Sequence, residues 1–283
     1  MPGPLLLDGP ACARDLAPAL RARVQALPRP PGLAVVLVGD DPASAVYVAK
    51  KEERAQRLGF ARQSHRLPAT ATTAQVLDVV DALNADDAVD GILVQLPLPP
   101  QVDSAAVLAR VRPDKDVDGF HVLNAGALAQ GRPALVPCTP LGVMRLLAWA
   151  GLSPAGLDAV VVGRSNIVGR PMAQLLEQAN ATVTVCHSRT VGLRAHLRRA
   201  QLIVAAVGRP GAVGADHVAD GAIVVDVGIN RLGDGRLVGD VDFDAVAPRC
   251  RAITPVPGGV GPMTIAMLME NTTRAAELRQ GRG

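Results

Sequence analysis

VVVGRSNIVGRPM, running from Val160 to Met172, is the stretch that decides the fold. Three valines lead into Gly163, the chain crosses five residues to Gly169, and a helical pattern begins there. An apolar strand, a glycine turn and a helix start follow one another, and the free N–H groups and dipole of such a helix start can receive a phosphate. Gly163 and Gly169 stand six positions apart, so this is not the usual GxGxxG fingerprint. On spacing alone the segment is either a dinucleotide turn or a plain strand-to-helix turn. Its surroundings favour the first: the strands DAVVVG (Asp158 to Gly163), TVTVC (Thr182 to Cys186), LIVAAVG (Leu202 to Gly208) and AIVVDVGIN (from Ala222) alternate with helical patterns. That order is a mononucleotide-binding half of a Rossmann-like sheet.

Upstream, a helix with Leu16, Leu20, Val24 and Leu27 on one stripe leads to the strand LAVVLVG, from Leu33 to Gly39. A second helix carries Tyr47, Lys51, Ala55 and Leu58, and a strand follows near Ala61 to Arg66. After a helix with Val76, Val79, Val80 and Leu83 comes the strand GILVQLPLP from Gly91, which its prolines end. Thr139 and Pro140 suit the N-cap and first position of a helix through Trp149, where the chain crosses between domains. A Gly/Pro-rich loop, Thr254 to Thr264, precedes a final helix to about Arg279. The expected fold class is α/β with two domains. A catalytic, substrate-binding domain covers 1–138 and is completed by a C-terminal helix over 264–283; a Rossmann-like nucleotide domain covers 139–263.

An NAD-preferring site expects an acidic residue about 20 positions beyond the glycine turn, for the ribose 2′-hydroxyl. From Gln178 to Ala215 there is none, while Arg164, Arg189, Arg194, Arg198, Arg199 and Arg209 are all present in or after the turn. A 2′-phosphate would meet cations and no repulsion, so NADP is the expected cofactor. Arg194, Arg198 and Arg199 also read as a solvated helix face, a reading that fits Arg164 less well.

The composition limits the rest. Of 283 residues 49% are hydrophobic and only 2% aromatic, so the core is built from Val, Leu, Ile and Ala. A net charge of +3 with scattered basic residues argues against a nucleic-acid partner. Cys12, Cys138, Cys186 and Cys250 form no CxxC pair and the five histidines no HxxxH, so neither a metal site nor a disulfide framework is expected. The opening MPGPLLLDGP lacks the pattern of a secretory signal, and no apolar run reaches the roughly 18 residues of a membrane span. A cytoplasmic protein without a membrane partner is expected.

Tyr47 is the only tyrosine, and Lys51, four residues on, shares its helix face; alone the pair reads as amphipathic surface. Taken with other segments it reads differently. GDDPASAVYVAKKEERAQRLGF, GILVQLPLP, PDKDVDGFHVLNAG, PCTPLGV, VVVGRSNIVGRPM, VVDVGIN and TPVPGGVGPMT, in that order, resemble the bifunctional methylenetetrahydrofolate dehydrogenase/methenyltetrahydrofolate cyclohydrolase family. The resemblance extends from about Leu33 to the last helix. It implies a folate-site cleft between the two domains, NADP as cofactor, tetrahydrofolate derivatives as substrates in one-carbon metabolism, and a homodimer.

It also implies roles for individual residues. Tyr47 resembles the aromatic residue that stacks on the folate ring, Lys51 the catalytic lysine, and Gln95 the glutamine that hydrogen-bonds it. Asp118 resembles the residue that grips the pterin amino and ring N–H groups. The NADP site falls on Gly163, Arg164 and Ser165, with Ser188 at the 2′-phosphate and Ile229 near the nicotinamide. Gly258, Gly259, Gly261 and Pro262 resemble the loop that closes over the folate. Lysines stand at both 50 and 51, so the catalytic assignment rests on the register from Tyr47.

The chemistry implied has two steps. A hydride leaves the methylene carbon for the nicotinamide, which asks mainly for positioning. Water then adds to the methenyl cation and the ring opens, which needs a proton carrier such as Lys51. Two other readings stand beside this one: an NADP oxidoreductase for an amino or hydroxy acid on a similar frame, and a folate- or NADP-binding protein without turnover. The joint presence of Tyr47, Lys51, Gln95 and Asp118 argues against both.

Overall fold

A computed structural model of the chain describes residues 3–133 and 135–281. From the amino end, strand β1 (Leu5–Leu6) and helix α1 (Gly9–Gln25) are followed by β2 (Gly32–Val38), α2 (Pro42–Arg57), β3 (Ala61–Leu67), α3 (Thr73–Ala85), β4 (Gly91–Val94), α4 (Ser104–Arg110) and α5 (Val122–Ala129). Helix α6 (Cys138–Trp149) leads into β5 (Asp158–Val162), α7 (Gly169–Gln178), β6 (Thr182–Cys186), α8 (Leu193–Arg199), β7 (Leu202–Ala205) and β8 (Ala222–Asp226). The short strands β9 (Asn230–Arg231) and β10 (Leu237–Val238), helix α9 (Phe243–Val246), strand β11 (Cys250–Ile253) and helix α10 (Val260–Arg279) complete the order.

Two compact units result: Leu16–Cys138 with Met267–Gly283, and Met1–Asp15 with Thr139–Ala266. In the first, β2 lies between β3 and β4 in a parallel sheet. Every residue of β2 is buried, which is why it reads as an unbroken apolar run rather than an alternating one. Val36 and Val38 of that strand pack with Val76, Val80 and Leu83 of α3 and with Val107 of α4. Beyond β4, Ile92 bridges in parallel to Asp116, so the segment around Asp116 extends the sheet past β4 although it forms no strand of its own.

In the second unit the strand order is β1-β11-β8-β7-β5-β6, and every pair in it is parallel. The chain runs from β5 outward to β6 and then back across β5 to β7 on its other side. That reversal puts a topological switch at the carboxyl ends of β5 and β7, the place where open α/β sheets receive ligands. The antiparallel pair β9 and β10 stands apart from the sheet.

The first residues of the chain fall differently from the expected domain over 1–138. Leu5 and Leu6 pair with Ala252 and Ile253 of β11, so the chain opens in the nucleotide unit's sheet and leaves it along α1. A two-residue strand has no periodicity to read; only its partner defines it. The final helix likewise begins at Val260, inside the expected loop, because proline is tolerated in a helix's first turn, where Pro262 stands. The last two residues of the expected 264–283 segment lie outside the described residues.

Candidate functional site

The reactive groups of the first unit come from three elements. Helix α2 starts at Asp41, whose side chain accepts from the Ser44 N–H, with Pro42 at the first helical position. From that start, Tyr47 and Lys51 fall one turn apart on the same face. Lys51 Nζ donates to Gln95 Oε1 at 2.9 Å, and Gln95 Nε2 donates to the Leu96 carbonyl at 2.6 Å, which fixes the orientation of the amide. Gln95 is held because its own N–H continues the ladder of β4 to the Val36 carbonyl at 2.9 Å. Lys50, pointing the other way, is exposed. Tyr47 as a residue is 37% exposed.

Asp118 follows the segment that extends β4, and the residue is partly buried. Burial pushes its carboxyl up to about 6; the Lys51 ammonium opposes the rise and the neighbouring Asp116 carboxylate adds to it. The turn carrying Asp118 is clamped from inside. Asp116 accepts from the N–H groups of Phe120 (3.2 Å) and His121 (2.8 Å) and from Asn124 Nδ2 (2.8 Å). Gly119, at φ +73°, has no room for a Cβ, which would lie 2.5 Å from Pro137 N. Asn271 of α10 donates to the Val117 and Val136 carbonyls, both at 2.8 Å. Lys115, completely buried, gives its three protons to the Leu83, Asn84 and Asp86 carbonyls at 2.9, 2.9 and 2.7 Å, neutralising the carboxyl end of α3. Two of the three charges in KDVDG, Lys115 and Asp116, are thus spent on structure, while no protein donor among the described residues is seen on the Asp118 carboxyl.

In the second unit, Gly163 has φ +132°, and a Cβ there would sit 2.2 Å from the Ala206 carbonyl oxygen. A Cβ on Gly169 would sit 2.3 Å from the Gly163 carbonyl oxygen. Both glycines are therefore demanded by close backbone approach, the condition a pyrophosphate-binding turn needs. Val168, the N-cap of α7, makes no side-chain cap bond; instead Ser165 Oγ accepts from the N–H groups of Val168 (3.2 Å) and Gly169 (3.3 Å). Ser165 thus shapes the turn, whatever else its hydroxyl does. Arg164 leaves the end of β5, and Ser188 and Arg189 form the exposed turn after β6. Among the described residues neither of these two guanidinium groups meets a carboxylate, whereas Arg194 pairs with Asp216 at 3.5 Å and Arg199 donates to Thr184 at 3.0 Å. These residues fit an anionic ribose phosphate at the exits of β5 and β6.

Ile229, after β8, is 44% exposed. It approaches the glycine-rich loop: a Cβ built on Gly261 would lie 3.6 Å from its Cδ1. That loop is anchored at both ends. Gly9 N–H donates to the Gly258 carbonyl at 2.9 Å, and Thr254 Oγ1 accepts from the Asp226 N–H at 2.7 Å. Gly258 needs its φ of +107°, and a Cβ on Gly259 would strike the Pro255 carbonyl at 2.6 Å. Gly261 and Pro262 stand in the first turn of α10 rather than in the loop.

Tyr47, Lys51, Gln95 and Asp118 therefore gather in one unit, and Gly163, Arg164, Ser165, Ser188, Ile229 and the residues from Gly258 to Pro262 in the other. Sequence reading missed the support beneath them: Lys115, Asp116, Asn124 and Asn271. The charges in KDVDG were visible, but nothing in their spacing says which point inward.

Residues 7–118 match the model for the tetrahydrofolate dehydrogenase/cyclohydrolase catalytic domain, and residues 137–280 that for the same family's NAD(P)-binding domain. The chain is 58% identical over 275 residues to a "Bifunctional protein FolD" of Acidiphilium cryptum, covering 97% of this chain and 99% of that one. Among solved structures, the FolD methylenetetrahydrofolate dehydrogenase/cyclohydrolase of Campylobacter jejuni is similar at 48% identity and a TM-score of 0.94, covering 97% of this chain and 99% of that one. That of Trypanosoma brucei, complexed with NADP cofactor and inhibitor, is similar at 39% identity and a TM-score of 0.93, covering 98% and 99%. With both family models matched in order over most of its length, the chain belongs to the tetrahydrofolate dehydrogenase/cyclohydrolase family.

Proposed function

We propose that Lys51 is the proton carrier and Asp118 the folate anchor of an enzyme that oxidises 5,10-methylenetetrahydrofolate with NADP and hydrolyses the 5,10-methenyl product to 10-formyltetrahydrofolate. NADP, when bound, supplies the hydride acceptor; the glycine turn at Gly163 and Gly169, with Arg164 and Ser188, would hold its phosphates, and Ile229 would lie against the nicotinamide. Tyr47 offers a ring face to the pterin and aryl system. Asp118, ionised, accepts hydrogen bonds from the pterin amino and ring N–H groups.

In the first step the methylene carbon gives up a hydride, and the chain's part is to align that carbon, for which no proton carrier is needed. In the second, water adds to the methenyl carbon, the added oxygen loses a proton, and a ring C–N bond breaks as its nitrogen gains one. Lys51 would serve both transfers, and Gln95 orients it without a compensating negative charge on that partner. Gly258 and Gly259 of the loop, with Gly261 and Pro262 in the first turn of α10, would close over the folate. The single observation carrying this reading is the 2.9 Å bond from Lys51 Nζ to Gln95 Oε1, with the Lys51 charge felt by Asp118.

The family also supports a cytoplasmic homodimer whose formyl product serves purine synthesis; no described helix is long and apolar enough to cross a membrane. Absorbance of methenyltetrahydrofolate tests the reading directly. Purified protein given methylenetetrahydrofolate and NADP should produce the methenyl band and then consume it. A band that never forms, with both ligands bound in calorimetry, would leave a binding protein without turnover.

A further inference from the structure

Asp240 is completely buried in the nucleotide unit, and its carboxylate is enclosed by N–H donors. Oδ2 accepts from the backbone of Val207 (2.6 Å) and Gly208 (3.0 Å), and Oδ1 from the backbone of Arg209 (2.8 Å) and from Asn230 Nδ2 (2.9 Å). Successive amides converging in this way form a concave anion receptor. Here the anion is a side chain of the same unit. Asp226 holds it from behind, accepting from the N–H of Asp240 at 2.9 Å and of Val241 at 2.8 Å. Glycines make the room: a Cβ on Gly228 would lie 2.3 Å from Asp240 Cγ, and one on Gly239 1.8 Å from Asp226 Oδ2.

The groups gripped by this carboxylate belong to the carboxyl edge of the sheet. Residues 207–209 leave β7 directly after Ala206, whose carbonyl abuts the Gly163 turn. At the other end, Gly228 leaves the space the carboxylate fills and Asn230 donates to it, so Ile229 is flanked on both sides by residues fitted to Asp240. We propose that Asp240 is a positioning residue for the dehydrogenase step, fixing residues 207–209 and Ile229 against the glycine turn so that the nicotinamide is held to accept the hydride. The Ile229 arm of this inference rests on the proposed placing of that residue beside the nicotinamide, while the arm through residues 207–209 does not. A carboxylate is required because every partner is a donor; an amide there would set its own N–H groups against at least one of them.

Asp240→Asn tests this, with NADP-dependent oxidation and methenyltetrahydrofolate hydrolysis measured on the same preparation. The ratio of oxidation to hydrolysis should fall about tenfold to a hundredfold, with the loss seen in kcat as well as in KM for NADP, the upper figure being the scale of a misplacement near 1 Å. Both activities falling in proportion, as loss of folded protein would cause, overturns the inference. Should Asp240→Asn not fold, Asn230→Ala removes one donor and leaves three amides on the carboxylate; an unchanged ratio there overturns it equally. Ile229→Ala separates this inference from the reading beneath it. A fall in the ratio there with Asp240→Asn silent sinks only the positioning role; silence there with Asp240→Asn impaired supports that role through residues 207–209 and sinks the placing of Ile229.

Discussion

The Lys51 charge reaches Asp118, yet the proposed mechanism gives the two residues opposite tasks, and substitutions should separate them. Lys51→Met keeps an unbranched stem and removes the amine, so hydrolysis of methenyltetrahydrofolate should fall by about 10² or more while NADP-dependent oxidation falls less. Lys50→Met should leave both near wild type, since that side chain is exposed and points about 100° away around α2. Equal losses from the two variants would move the proton carrier off Lys51. Asp118 makes a second prediction through pH. Its carboxyl is raised to about 6 by burial, so it remains charged above that value and takes up a proton below it. Neutral, it is a weaker acceptor for the pterin N–H groups, so KM for the folate should rise as pH falls from about 8 to about 5, with a midpoint near the raised value. Asp118→Asn should bind folate more weakly throughout and flatten that profile; a profile that persists would assign it to another group. The register of Lys51 could be read from Tyr47 because helix spacing is regular. The clamp of Asp116, Asn124 and Asn271 could not, because those contacts join segments whose approach no local pattern encodes.

The buried lysine of α3's carboxyl end belongs to element stability rather than chemistry. Lys115→Met should lower the unfolding free energy by about 1.5–3 kcal/mol, the range for losing hydrogen bonds to a charged group, and urea denaturation would show it as a lower midpoint. A midpoint within error of wild type would mean water satisfies the three carbonyls equally well. At the start of α7 the expectation concerns specificity. Arg164→Ser should reduce the preference for NADP over NAD by about tenfold to a hundredfold, since a charge-assisted bond is worth about 1.5–3 kcal/mol. Equal use of both cofactors by the wild type would remove the basis for that role. The strands and helices around these sites were legible because β2, β5, β7 and β8 are continuous apolar runs and the helices between them carry regular stripes. Strands β1, β9 and β10, of two residues each, and β11, whose short run CRAI is interrupted by the exposed Arg251, were not, and a neighbour defines each of them. Helices α4 and α5, of seven and eight residues, are likewise too short for periodicity to stand out.

Across the chain, NADP at about 100 times its Kd should raise stability by about 2.7 kcal/mol, seen as an upward shift in Tm, and Asp118→Asn should retain that shift because Asp118 lies in the other unit. Loss of the shift in that variant would show that the two ligand sites do not divide along the units. Neither unit is a continuous stretch: the chain opens in one, builds most of the other over Leu16–Cys138, returns through Thr139–Ala266, and ends in the first-built unit with α10. During synthesis on the ribosome, the segment bearing Tyr47, Lys51 and Asp118 would therefore wait, incomplete, while more than a hundred further residues are translated, until Asn271 arrives to tie the Val117 and Val136 carbonyls. A nascent chain arrested before Met267 should hold those residues in a protease-sensitive state, and a chain extended through Asn271 and the rest of α10 and then released should make them resistant.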